Sequence, residues 1–182
     1  LGYASEESFR RMLADAMRRH PGAPLVVKIH PDVVSGAREG YLARMTLPPH
    51  TIRITQDIHP ALLFAQAREV HTATSLLGME ALIAGVPVVC HGAPFYAGWG
   101  LTDDHGLPEH VAARRQARPG LAQLFDAAYR RYARYIDPRT GAAPLPTTTR
   151  RRSHQERRRA VSRVLSAGQA PGSRCCRRGS SP

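Results

Sequence analysis

The chain holds 182 residues with 15 glycines, 15 prolines and three cysteines, and carries a formal charge of +12. That length suits one domain with a tail. Three cysteines exclude a disulfide framework, and no apolar run approaches the roughly 18 residues of a membrane-spanning helix.

The charge is unevenly placed. Residues 1–149 hold 16 Lys and Arg against 13 Asp and Glu, whereas residues 150–182 hold 10 against one. The folding part is therefore nearly neutral, and the basic character belongs to the tail. That tail has no interleaved aromatics and no reading module, so nucleic acid is not an expected partner. An Arg/Ser/Gly composition of this kind reads as disordered. With no signal peptide in view the expected location is the cytoplasm. The chain opens on Leu1 rather than methionine, as a piece of a longer protein would.

In chain order, Ser5 to Ser8 followed by Phe9, Met12, Leu13, Ala16 and Met17 predicts a capped amphipathic helix that ends at His20-Pro21-Gly22. Leu25 to His30 is a β-branched run between prolines and predicts a buried strand. Gly36 to Met45 reads as a loop or short helix, and Thr51 to Ile54 as a second strand. Pro60 to Ala67 predicts a helix with proline in its first turn. Glu69 to Thr72 is a third strand, Ser75 to Ala84 an apolar helix stopped by Gly85-Val86-Pro87, and Pro87 to Cys90 a fourth strand. Leu121 to Ile136 predicts a late helix with Leu121, Leu124, Phe125, Ala128, Tyr132 and Tyr135 on one stripe. Residues 142–182 read as a Pro/Thr linker and an Arg-rich disordered tail. Strands alternating with helices imply βαβ units, hence an α/β fold with a Rossmann-like parallel sheet over residues 1–141.

Ligands of open parallel sheets gather at the carboxyl ends of the strands. Each such end here is polar: His30-Pro31-Asp32, Gln56-Asp57, Thr74-Ser75 and His91-Gly92. Together they outline a pocket of nucleotide-sugar size. His30 reads as a partner for an anionic ligand or as a strand-end histidine bound to backbone. Lys28, the only lysine, shares its side of the strand and either neutralises phosphate or snorkels at the edge. Asp57 suits a pair of ribose hydroxyls or caps the next helix. Thr74 and Ser75 offer hydroxyls and helix-start N–H groups to a phosphate, or simply cap. Glu80, inside an apolar helix, is expected to face a partner or to lie on the surface. The loop Pro94 to Gly100 sets Tyr96 and Trp99 among glycines such as Gly98, an arrangement for stacking on a sugar or base or for packing on the first helix. Asp103-Asp104 reads as a turn, with metal or acid/base work as the alternative. No Cys/His spacing matches a zinc site, so no metal is expected.

Val27-Lys28-Ile29-His30-Pro31-Asp32, Thr74 to Leu82 and the block Pro94 to Asp104 resemble the bacterial capsule polysaccharide biosynthesis proteins of the KpsC/LipB type. Gly2 to Ser5, Ser8-Phe9, Gly40 to Leu42, Tyr132, Tyr135, Asp137-Pro138 and Thr140-Gly141 match as well, so the resemblance covers about residues 2–141. It implies a retaining glycosyltransferase that moves Kdo from CMP-Kdo to a lipid-linked acceptor of the phosphatidylglycerol type, with no cofactor beyond the donor. It also implies a GT-B architecture of two facing domains, of which this chain would be the donor-side half. In that scheme His30-Pro31 contacts the nucleotide, Asp57 the ribose, and Thr74-Ser75 the phosphate, with His30 assisting the leaving group. The acceptor domain and the nucleophile would lie outside the chain. Capsule assembly and export would place the protein at the inner face of the inner membrane, in peripheral contact. A non-catalytic assembly or tethering module, and another GT-B-like enzyme such as an epimerase, are the alternatives.

Overall fold

Ser5 begins the first helix by a reciprocal cap: its hydroxyl accepts the Ser8 N–H at 3.3 Å, and the Ser8 hydroxyl accepts the Ser5 N–H at 2.9 Å. Helix α1 then runs Glu6–Arg19, with Glu6 and Glu7 in its first turn and Arg18 and Arg19 in its last, both favourable to the helix dipole. This is a computed structural model, and it describes residues 2–37, 39–134 and 136. The expected tail, with Tyr135, Asp137-Pro138 and Thr140-Gly141, lies outside the described residues.

Strand β1 (Val26–Lys28) pairs in parallel with β2 (Ile52–Ile54), Val27 lying opposite Arg53. Between them stand two single-turn helices, α2 (Pro31–Val34) and α3 (Tyr41–Arg44). Helix α4 (Ala61–Phe64) is shorter than expected. Strand β3 (Val70–Thr72), helix α5 (Leu77–Ile83) and strand β4 (Val88–Cys90) form the next βαβ unit. Strand β5 (Asp103–Asp104) adds to β4, again in parallel, and α6 (Glu109–Ala112) and α7 (Leu121–Phe125) follow. The parallel α/β architecture is as expected. The strands, however, form two ladders, β1–β2 and β3–β4–β5. Asp103-Asp104, read from sequence as a turn, is the third strand of the second ladder.

The late helix also differs. After α7 the chain widens into a π-helical segment, Asp126–Tyr132. Asp126 accepts from Arg130 at 3.1 Å and Arg131 at 2.8 Å, and Phe125 stacks on Tyr129 with centroids 4.7 Å apart. Bonding at i→i+5 changes the angular step per residue, so a stripe drawn at 3.6 residues per turn does not continue through it. Leu124 is buried, but Tyr132 is 88% exposed.

Two cores result. Leu13, Val27 and Ile29 pack with Val33, Leu42 and Met45 around the first ladder. Phe64, Met79, Val88, Cys90, Tyr96 and Leu124 belong to the second. Register defines the two faces of the β3–β4–β5 ladder. Thr72, Cys90 and Asp104 share one face, while His71, Val89 and Asp103 share the other.

Candidate functional site

His30 keeps an extended backbone and caps α2, its Nδ1 accepting the Asp32 N–H at 3.1 Å, with Pro31 opening the helix. The ring is exposed and lies 3.5 Å from the Asp32 carboxylate. Lys28 is half-buried at the end of β1 and makes no ion pair among the described residues. Asp57 is exposed beyond β2. The cap expected of it is made by His59, whose Nδ1 accepts the Ala61 N–H at 3.2 Å.

Thr74, Ser75 and Leu76 are all exposed after β3. The helix begins at Leu77, not Ser75, and the reason is local. Thr72 Oγ1 accepts the Ser75 N–H at 3.2 Å, and Ser75 Oγ accepts the Leu77 N–H at 3.2 Å. These side-chain bonds replace helical ones and build a turn ahead of the helix. Among the described residues no hydrogen bond engages the N–H groups of Thr74 and Leu76 or the Thr74 hydroxyl. Those groups and the Ser75 hydroxyl belong to exposed residues. Half-buried Glu80 sits in α5, and its carboxylate likewise has no ion pair among the described residues.

The aromatic loop is folded onto its own domain. Tyr96 is fully buried, so it cannot stack on a ligand as expected. Its hydroxyl donates to the Ser75 carbonyl, and burial raises its pKa. Tyr96 therefore supports the Thr74–Ser75 turn from beneath. The approach requires glycine at position 78, where a Cβ would come within 2.7 Å of Tyr96 Cζ. Gly98, at φ +82°, donates its N–H to Asp104 at 2.8 Å. Half-buried Trp99 donates to the Phe95 carbonyl at 2.8 Å and carries the Arg115 guanidinium 5.6 Å from its ring centroid. Arg115 also donates to the Pro94 and Ala97 carbonyls at 2.8 and 2.6 Å. The loop packs on the second core and not, as the alternative had it, on the first helix.

Sequence reasoning missed a dense polar cluster among the described residues. On the face of the ladder opposite Thr72 and Cys90 lie Glu69 and His71 from β3 and its approach, His91 after β4, and Asp103 with His105 at β5. Helix α1 covers them and adds Asp15 and Arg19. Glu69 accepts from Arg19 at 3.0 and 2.7 Å, from His20 at 2.9 Å and from His71 Nε2 at 2.9 Å. Burial opposes its charge, but these bonds prevail and hold its pKa down to about 2. His71 Nδ1 meets His91 Nε2 at 3.1 Å. Burial lowers the pKa of both rings, that of His91 to about 4, where the neighbouring His71 and His105 add to the shift. Asp103 is paired with Arg19 at 2.8 Å and with His105 Nε2 at 3.0 Å. The periodic signal was available: Glu69, His71, His91, Asp103 and His105 all have the same strand parity.

Residues 2–135 match the profile of a family described as "Capsule polysaccharide biosynthesis protein". The chain belongs to that family. It is 39% identical over 144 residues to "Capsule polysaccharide modification protein LipA" of Neisseria meningitidis serogroup B, covering 78% of the chain and 20% of LipA. It is 36% identical over 135 residues to "Lipopolysaccharide-processing protein LpsZ" of Rhizobium meliloti, covering 74% and 30%. The chain thus spans a minor part of these relatives. Among solved structures it is similar to Thermosulfurimonas dismutans KpsC, beta Kdo 2,4 transferase. The TM-score is 0.72 at 43% identity, covering 79% of this chain and 43% of that one. For the beta Kdo 2,7 transferase of the same KpsC the values are 0.54, 31%, 87% and 45%. Within the family fold, the strand-end residues fall into two groups. Lys28, His30 and Asp57 belong to the β1–β2 ladder, and Thr74, Ser75 and His91 to the β3–β4–β5 ladder. No hydrogen bond among the described residues ties one group to the other.

Proposed function

We propose that this chain is the donor-binding part of a glycosyltransferase that moves Kdo from CMP-Kdo to a lipid-linked acceptor in capsule polysaccharide biosynthesis. One observation carries the reading: the 43% identity and 0.72 TM-score against a beta Kdo 2,4 transferase across 79% of the chain. The exposed groups after β3 support it. Phosphate of the CMP leaving group would meet the Thr74 and Leu76 N–H groups and the two hydroxyls, where negative charge developing on departure is stabilised. His30 and Lys28 would contribute cationic or donor groups, Asp57 would take the ribose hydroxyls, and Trp99 with Gly98 would border the sugar. The acceptor, of the phosphatidylglycerol type, would be met at the inner face of the inner membrane. The chain covers 43% of the matched transferase, which accords with a second domain supplying the acceptor site and the nucleophile.

Titration calorimetry tests this. The chain is expected to bind CMP in preference to UDP and to transfer no Kdo by itself. Ser75→Ala is expected to weaken CMP binding about tenfold, the order of one hydrogen bond to a charged group. Equal affinity for CMP and UDP, or an unchanged Kd in Ser75→Ala, would count against the assignment. Binding to anionic vesicles that persists without CMP affinity would favour the tethering alternative.

A further inference from the structure

We propose that Asp15, His71 and His91 form a binding site for a zinc-type divalent cation, with His105 beside it as a fourth donor. The inference does not depend on the donor reading.

Asp15 Oδ2 supplies the first reason. The side chain is 9% exposed, Oδ1 is held by Arg18, and Oδ2 is buried without a hydrogen bond. His105 Nδ1 stands 3.2 Å from that oxygen and His91 Nε2 3.8 Å, neither aligned as a donor to it. An orphaned carboxylate oxygen is costly in a protein interior, and a cation satisfies it directly. Oδ2 belongs to the wall of a cavity of about 370 Å³ lined by Ser8, Arg11, Asp15, His91 and His105.

Donor geometry is the second reason. One ligand atom from each of Asp15, His71 and His91 lies within 4.8 Å of the others. The closest pair, His71 Nδ1 and His91 Nε2, is separated by 3.1 Å. Tetrahedral zinc with nitrogen ligands at 2.0–2.1 Å needs ligand atoms about 3.3 Å apart, so the two rings would open slightly and Asp15 would close in by about 1.5 Å at most.

Tautomers are the third. The Glu69 carboxylate accepts from His71 Nε2, which therefore carries the proton and turns a lone pair at Nδ1 toward the cluster. Asp103 stands 3.0 Å from His105 Nε2 as an ion-pair partner only. A carboxylate behind a ligating imidazole is the usual orienting partner of metal histidines. Imidazoles with one carboxylate select zinc, cobalt or nickel over magnesium and calcium. Asp15 comes from α1 and both rings from the ladder, so a bound ion would clamp the helix to the sheet.

Zinc content after dialysis, cobalt absorption and thermal unfolding together test the site. A Cys175→Ser, Cys176→Ser background removes the thiols of the tail from competition. One zinc per chain is expected, with a Tm rise on zinc and none on magnesium, and a tetrahedral cobalt spectrum without a thiolate band. His91→Gln and Asp15→Asn are each expected to weaken zinc at least tenfold. His91→Gln is scored only with native circular dichroism; should it not fold, His71→Gln takes its place. No retained zinc, unchanged affinity in a folded variant, an octahedral cobalt spectrum or an equal response to magnesium would overturn the site.

Discussion

Replacing Glu69 by alanine is expected to destabilise the chain by about 3 kcal/mol, read as a lowered midpoint in urea unfolding. The carboxylate is 9% exposed and accepts from three residues on two elements: Arg19 and His20 at the end of α1, and His71 in β3. Removing one member of a buried pair leaves the other charge without compensation, which typically costs about 3–5 kcal/mol. The lower end applies because Arg19 is 29% exposed and keeps Asp103 at 2.8 Å. In a chain of this size that amounts to a fall in Tm of about 6–12 °C. Glu69→Gln retains an acceptor and should recover part of the loss. A Glu69→Ala midpoint within error of wild type would show that Arg19 and the histidines are satisfied by water instead.

The same cluster sets an acid limit. The Glu69 pKa is depressed in the fold to about 2 from 4.5, so its contribution is fully present above the unfolded value and is lost as pH falls toward 2. His91 is held neutral, its pKa lowered to about 4 from 6.5. Between those values the unfolded chain binds the proton and the folded chain does not, so His91 also removes stability on acidification. The two effects have the same sign and follow one another. Stability is expected to decline from about pH 6.5 downward, with a second decline below about 4.5. His91→Gln should reduce the first decline, leaving the part that His71 contributes by its own lowered pKa, and should spare the second. Urea midpoints measured from pH 7 to pH 3 in both proteins check this.

The legible and illegible parts of the sequence divide on physical lines. The α1 cap, the β1 and β4 runs and the glycine stop after α5 each depend on contiguous residues, and each lies where local chemistry placed it. Asp103-Asp104 did not look like a strand because two carboxylates have low strand propensity. Their partners compensate: Arg19 and His105 for Asp103, Gly98 N–H and the Thr102 hydroxyl at 2.7 Å for Asp104. Tyr96 looked like a ligand platform because an aromatic between glycines has that local pattern, whereas its burial depends on Met79 and Leu124, distant in sequence. The Asp15, His71, His91 and His105 cluster had no motif spacing. It exists only because α1 lies across one face of a parallel ladder. Lys28, His30 and Asp57 stand at strand ends of the first ladder, and Thr74 and Ser75 follow a strand of the second.

Gly78→Ala offers the sharpest separation of helix propensity from tertiary packing. In an exposed helix the change would add about 1 kcal/mol of stability. Here the new methyl would point at a ring with nowhere to go, since Tyr96 is fully buried and Cζ would lie 2.7 Å from the Cβ. Overpacking of this kind costs about 1–3 kcal/mol, which cancels or outweighs that gain, so a net loss of up to about 2 kcal/mol is expected. The functional consequence should exceed the stability loss. Tyr96 donates to the Ser75 carbonyl, which also accepts the Gly78 N–H at 3.3 Å. A displaced ring therefore tilts the turn that presents Thr74, Ser75 and Leu76. CMP affinity in Gly78→Ala should fall about tenfold or more while the protein remains folded. Tyr96→Phe, which keeps the ring and removes only the hydroxyl, should fall by less. Wild-type CMP affinity in a folded Gly78→Ala would mean that the turn after β3 holds its shape without the tyrosine beneath it, and that the donor phosphate is recognised elsewhere.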